Sequence, residues 1–256
     1  MSHKRIGLLI PASKTIWMYW EGKQHPIVEL CIQTVVQNSG RIVRVLSYDK
    51  AVGMGYSPLL KLGEGMPSNF KTDPLRFALL HDHGGIWLDT DMICFKPLDW
   101  KKRIEEYDFV GVYNPHQKKG QAKGGMFSWA MGSNRGSKIA QMALDDSIRC
   151  FDTTGRVPWG DPSTGSISRV FRKSKEIPEL NVYRYEHWQY SKINWWESQE
   201  LWVDHPIKKY VNEKTKIQHL SNKVINHFKD MTRAEVLDSD TLVGRMFCKA
   251  LGCPPP

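Results

Sequence analysis

FKTDPLRFALLHDHGGIWLDTDMICFKPL, from Phe70 to Leu98, carries a helix, a turn and a strand in immediate succession. Leu75, Phe77, Leu79 and Leu80 form an apolar helix that starts near Thr72-Asp73-Pro74, with Thr72 or Asp73 as its cap. Gly84-Gly85 ends it, because glycine takes the left-handed cap without a Cβ clash. Ile86-Trp87-Leu88 is then a short buried strand that runs straight into Asp89-Thr90-Asp91. Upstream, Lys14 to Trp20 (KTIWMYW) reads as a strand, Pro26 opens a helix with Ile27, Leu30, Cys31, Thr34 and Val35 at helical spacing, and Ile42 to Leu46 is a second strand. Strand, helix, strand in that order predicts a parallel sheet whose ligands gather at the carboxyl ends of its strands. Downstream, Asp108 to Tyr113 and Met126 to Met131 read as strands, Ser137 to Arg149 as a helix, and Thr232 to Leu251 as a last helix. The chain is expected to be one mixed α/β domain over residues 1–256, with halves at about 1–110 and 111–256.

Composition narrows the classes. The chain has 256 residues, 41% hydrophobic and 25% charged, which suits a globular core and excludes a disordered, collagen-like or coiled-coil chain. Lys and Arg number 36 against 27 Asp and Glu, a net charge of +9, so an anionic partner is expected: a phosphate ester, a nucleic acid or an acidic membrane surface. The five cysteines are scattered without a CxxC pair, which argues against a zinc site and for reduced thiols in the cytoplasm. No apolar run reaches the ~20 residues of a membrane span. Lys4-Arg5 and Ile6 to Ile10 imitate a signal peptide but are broken by Pro11 and Lys14.

The chemistry centres on Asp89-x-Asp91. Carboxylates at i and i+2 on an extended chain project to one side, and at a strand end both face one cation. Carboxylate oxygens suit Mg²⁺ or Mn²⁺, and such a cation neutralises a departing diphosphate. A solvated turn is the alternative. Asp73 and Arg76, three apart near a helix start, share a face; Asp73 can accept sugar hydroxyls and Arg76 can hold a phosphate or sugar oxygen.

These residues resemble the DxD-containing glycosyltransferases of the Och1, capsular-polysaccharide and large clostridial toxin group (family 32-like). The shared pattern is a Ser-Asp-x-x-Arg helix start, a Gly-Gly turn and an apolar strand into Asp-x-Asp. Ile10 to Gly22 (IPASKTIWMYWEG) also resembles that group's first strand, with Ser13 as an added residue. The resemblance covers roughly the first 110 residues. It implies a GT-A fold, Rossmann-like, with a mostly parallel central sheet flanked by helices. It also implies a metal-dependent transfer of a sugar from a nucleotide sugar, usually a UDP-sugar, to a hydroxyl of a glycan or polysaccharide, with retention. By the same resemblance Trp20 stacks on the base, Asp73 and Arg76 contact the donor sugar and ribose, Asp89 lies near ribose and sugar, and Asp91 ligates Mn²⁺ or Mg²⁺. Trp87 stands where Tyr is commoner, keeping the stacking surface and losing a hydroxyl; Thr72 replaces Ser. His219, in KIQHLSNK after a strand-like Lys216-Ile217-Gln218, is the candidate second metal ligand, with Ser221, Asn222 and Lys223 placed to meet the diphosphate.

Other features admit two readings. Trp188, Tyr190, Trp195, Trp196 and Trp202 either stack on sugars or fill a core. Trp159-Gly160-Asp161 is a loop over the acceptor or a plain turn, and Gly124-Gly125-Met126 admits the donor sugar or merely starts a strand. The basic runs His116 to Lys123 and Arg169 to Lys175 close over nucleotide, rest on anionic lipid or are solvated. Two other functions compete: a haloacid-dehalogenase-like phosphohydrolase with Asp89 as nucleophile, against which the short strand counts, and a glycan- or nucleic-acid-binding module, for which no nucleic-acid signature is present.

Overall fold

The computed structural model describes residues 14–114, 125–152, 157–186, 190–193 and 195–254. The first half contains β1 (Thr15–Tyr19), α1 (Pro26–Asn38), β2 (Ile42–Leu46), α2 (Tyr48–Gly53), α3 (Ser57–Leu62), α4 (Ser68–His83), β3 (Gly85–Leu88), β4 (Met92–Cys94), α5 (Lys101–Glu106) and β5 (Phe109–Asn114). The second half adds β6 (Gly125–Ser133), α6 (Lys138–Asp152), α7 (Ser166–Ser174), β7 (Val182–Glu186), β8 (Ile217–His219), α8 (Ser221–His227), α9 (Arg233–Leu237) and α10 (Leu242–Leu251). The main sheet has the order β2-β1-β3-β6-β5-β7. β1 pairs parallel with β2 and β3, β5 pairs parallel with β7, and β6 alone runs against its neighbours. The sheet is therefore mixed but mostly parallel, as expected of a Rossmann-like GT-A domain.

Alternation along β1 explains how helices cover both faces. Trp17 and Tyr19 join one apolar cluster with Leu75, Phe77 and Leu79 of α4 and Ile139 and Ala143 of α6. Ile16 and Met18 point the other way, into a cluster with Ile86, Leu88, Trp100 and Val110. A strand buried on both faces needs apolar residues at every position, and TIWMY supplies them apart from the buried Thr15. A third cluster packs α1 against α8 and α10 through Ile27, Leu30, Val224, Val243 and Phe247.

Three sequence expectations shift. The helix around Asp73 starts earlier, at Ser68 after Pro67, so Pro74 lies inside it and neither Thr72 nor Asp73 is its cap. Pro74 has no N–H to offer Phe70, but one missing bond near a helix start is tolerated, and the Thr72 hydroxyl turns back to the Asn69 carbonyl. The Asp89-Thr90-Asp91 segment is a turn between β3 and β4 rather than extended chain. It is pinned at both ends: Asp89 N–H donates to the Trp129 carbonyl and Leu220 N–H to the Asp91 carbonyl, each at 3.0 Å. The expected last helix divides into α9 and α10 because Asp238-Ser239-Asp240 interrupts it and Thr241 caps the second part through Gly244 N–H. Among the described residues no helix is long and apolar enough to cross a membrane.

Candidate active site

The acidic turn sits at the carboxyl end of β3, beside the end of β1, where parallel strands direct ligands. Arg76 organises it. Its Nη2 donates to Asp73 Oδ1 at 3.0 Å and to the Thr72 hydroxyl, its Nη1 donates to the Ser128 carbonyl at 2.9 Å, and its Nε donates to the Thr72 carbonyl. Nη1 also lies 3.4 Å from Asp89 Oδ1, and the guanidinium rests over the Trp87 ring at 5.2 Å. Every nitrogen is engaged and Arg76 is 4% exposed. Arg76 thus grips two carboxylates at once.

Trp87 belongs to the same network. It is 1% exposed, and its indole N–H donates to Asp89 Oδ1 at 2.7 Å. That bond aims Asp89 toward the turn. Asp89 is the most open acid of the group, with 30% of its side chain accessible. Burial on its protein side raises its pKa, Arg76 opposes that, and Asp91 adds to it. Asp73 is buried, and its pKa is pushed up to about 6 by desolvation against the opposing pull of Arg76 and of the nearby Ser163 hydroxyl.

Asp91 and His219 meet across the antiparallel β4–β8 pair, in which Met92 lies opposite His219. His219 Nε2 stands 3.2 Å from Asp91 Oδ2, and the imidazole stacks on Trp129 at 5.4 Å. Burial alone raises Asp91, yet the charge and hydrogen bond of His219 overcome it and hold the carboxyl below its ordinary value. Burial alone lowers His219, and Asp91 reverses that as well. Asp91 Oδ1 is buried with no hydrogen-bond partner. A buried carboxylate oxygen left without a donor is costly, and a cation is one natural partner for it. Among the described residues no three His, Cys, Asp or Glu side chains are grouped to hold a metal ion as they stand.

Trp20 stands at the end of β1, with its ring against the third apolar cluster and its N–H on the Lys23 carbonyl at 3.2 Å. Ser221, Asn222 and Lys223 open α8 one residue beyond His219, after Leu220, and Ser221 holds a left-handed φ of 71°. Sequence reading missed the supporting groups. Gln218 donates to the Ser191 hydroxyl and to the Ile193 and His219 carbonyls, and accepts from Lys192 and Ile193 N–H, tying segment 190–193 to β8. The Ser128 carbonyl and the Trp129 ring complete the floor. No spacing signal marks any of them, because they reach the site by backbone contact or by pairing between distant segments.

Among the ambiguous features, Tyr190 is buried with its hydroxyl on the Trp100 N–H, and Trp202 stacks on His227 at 4.5 Å, so both belong to packing. Trp188, Gly124, residues 116–123 and the side chains of Trp195 and Trp196 lie outside the described residues. Asp161 is held by Arg169 Nη1 at 2.6 Å, which makes it an anchor for its own loop. Arg169 is correspondingly engaged, by Asp146 as well as Asp161.

A mostly parallel α/β sheet with an acidic turn at its strand ends defines a protein of GT-A type. A family model described as capsular polysaccharide synthesis protein matches residues 9–152, and the chain belongs to that family. No curated protein sequence matches it. Solved structures similar to it include PaToxG glycosyltransferase (TM-score 0.44, 15% identity, 66% of this chain and 71% of that one). They also include GlyE of Streptococcus pneumoniae TIGR4 (0.48, 8%, 94% and 65%) and the bifunctional WbbM (0.48, 8%, 85% and 47%). The chain thus spans less than two thirds of the GlyE and WbbM structures.

Proposed function

We propose that the chain is a metal-dependent glycosyltransferase that moves a sugar from a nucleotide sugar, a UDP-sugar, to a hydroxyl of a glycan or polysaccharide. The observation that carries this reading is the unpartnered, buried Oδ1 of Asp91 beside an ordered set of carboxylates at the strand ends. Asp91 and the open side of Asp89 would hold Mn²⁺ or Mg²⁺. His219 is engaged with Asp91 at 3.2 Å and would join as a ligand only by releasing it; as placed, it orients Asp91. Bound there, the cation supplies Lewis-acid and electrostatic stabilisation of the diphosphate that leaves.

The protein groups do the positioning. Asp73 and Asp89, clamped by Arg76, present acceptor oxygens to donor-sugar hydroxyls, and the clamp keeps them from turning to water. Trp20 takes the base, and Ser221 to Lys223 meet the phosphates. An acceptor hydroxyl then attacks the anomeric carbon as the bond to the nucleotide breaks, with retention; none of the chain's own side chains is assigned as a nucleophile. The net charge of +9 suits peripheral contact with an anionic membrane in the cytoplasm and does not call for a nucleic acid.

Calorimetric titration with UDP, with GDP as control and with or without Mn²⁺, tests the reading. UDP binding that needs Mn²⁺ and falls at least about tenfold in Asp91→Asn is the expected result. Failure of a folded protein to bind either nucleotide would refute the assignment. The anomeric proton signals of the first product formed test retention.

A further inference from the structure

Trp159 is 66% exposed, the most exposed of the large apolar side chains among the described residues. It also has a defined seat. Its ring meets Phe70 edge-on at 5.9 Å and 86°, above a small apolar cluster of Phe70, Cys150 and Val157. Gly160 follows with φ 75°, and Asp161 N–H closes the turn onto the Pro158 carbonyl at 3.1 Å. Arg169 then grips the Asp161 side chain at 2.6 Å and its carbonyl at 3.4 Å. Keeping an indole in water forgoes the gain of burying it.

Its place in the fold gives it a use. Phe70 lies on α4 one turn before Asp73, about 4.5 Å along the helix axis. From Trp159 the chain passes through the π-helical turn Asp161–Gly165, where Ser163 approaches Asp73 and the Thr164 hydroxyl bonds to the Ser128 hydroxyl at 2.9 Å. An exposed aromatic ring therefore rests on α4 one helical turn from Asp73, a residue assigned to the donor sugar. A pyranose ring has the matching chemistry: a C–H face for an indole and a rim of hydroxyls for the partly open carboxylates of Asp161 and Asp89. The base has its own candidate in Trp20, which packs with the third cluster rather than with Phe70.

We propose that Trp159 is the platform on which the acceptor's sugar ring stacks, and that residues 159–165 form the acceptor side of the site. This rests on the glycosyltransferase reading above. It identifies the acceptor terminus as a pyranoside and makes Trp159 a determinant of transfer over hydrolysis.

The test uses the full chain with Mn²⁺ and three donors: UDP-glucose, UDP-galactose and UDP-N-acetylglucosamine. Hydrolysis is measured alone and in the presence of methyl α-glucoside, methyl β-galactoside and methyl β-N-acetylglucosaminide. In Trp159→Ala the ratio of transfer to hydrolysis falls about tenfold at fixed glycoside, the loss expected for one stacked ring, and Trp159→Tyr restores most of it. An unchanged ratio overturns the proposal, including the case in which both reactions weaken together through a raised KM for the nucleotide sugar, which would put the indole under the base. A wild-type protein that hydrolyses a donor yet glycosylates none of the three glycosides also overturns the platform while leaving the donor reading intact. Absence of hydrolysis together with absence of UDP binding removes the donor reading itself.

Discussion

Each nitrogen of the Arg76 guanidinium has a partner, and two of those partners are the carboxylates of Asp73 and Asp89. Removing a buried cation from two acids leaves them desolvated and uncompensated. Arg76→Ala should therefore cost about 3–5 kcal/mol, read as a lower urea midpoint with an unchanged slope, and Arg76→Lys should recover only part because an ammonium cannot fork. Asp73 gives a pH signature. Its folded pKa of about 6 lies above the unfolded Asp value near 3.9, so the folded state holds the proton more tightly. Its stabilising contribution is complete below pH ~4 and is lost as pH rises through ~6. Stability of the wild type relative to Asp73→Asn should fall across that window, by up to roughly 3 kcal/mol, and parallel curves would show that Asp73 titrates normally. At this scale Asp73, Arg76, Asp89 and Asp91 were legible in the sequence, since their grouping follows from short spacings around one helix, one turn and one strand. The burial of Trp87 was not, because it depends on which layers cover the sheet.

Among the described elements, the β8–α8 junction is strained. Ser221 holds φ 71°, a left-handed conformation that a residue with a Cβ avoids, one residue beyond the strand that brings His219 to Asp91. Strain of this kind collects where surrounding structure overrides local preference. Ser221→Gly relieves it and loses some unfolded-state advantage, so it should leave stability equal or higher by up to about 1 kcal/mol, whereas Ser221→Val should lower it by more than that. Denaturant unfolding of the two variants decides the sign. The start of α4 was misread for a related reason. Pro74 is commonest at a helix start, but Ser68 to His83 buries Phe70 and Leu75 on one helix, and that packing outweighs one missing hydrogen bond.

At the scale of the molecule, the main sheet has β2 as an edge. The strand reads IVRVL, with Ile42 42% exposed and Arg44 exposed beside it, its guanidinium 5.7 Å from the Trp17 ring. A charge in the middle of an apolar edge hinders pairing with another chain. Arg44→Val should leave the unfolding free energy within about 1 kcal/mol and increase concentration-dependent light scattering. Scattering like that of the wild type would show that the edge is guarded by something else.

The amino-acid sequence by itself determined the alternating α/β order, both strands flanking α1, the Gly-Gly stop and the place of the Asp89-x-Asp91 pair after β3, because each is a local matter of periodicity, capping and turn chemistry; the turn that carries the pair was not among them. It also identified His219 as a candidate, but nothing local places it. His219 reaches Asp91 through the β4–β8 ladder, and Gln218 and Ser191 hold it there. That meeting, the burial of Trp87 and the engagement of Arg76 were decided by the tertiary structure alone. Pairing between distant segments is set by which apolar faces close over one another, and no spacing along the chain encodes the atoms that this closure brings into contact.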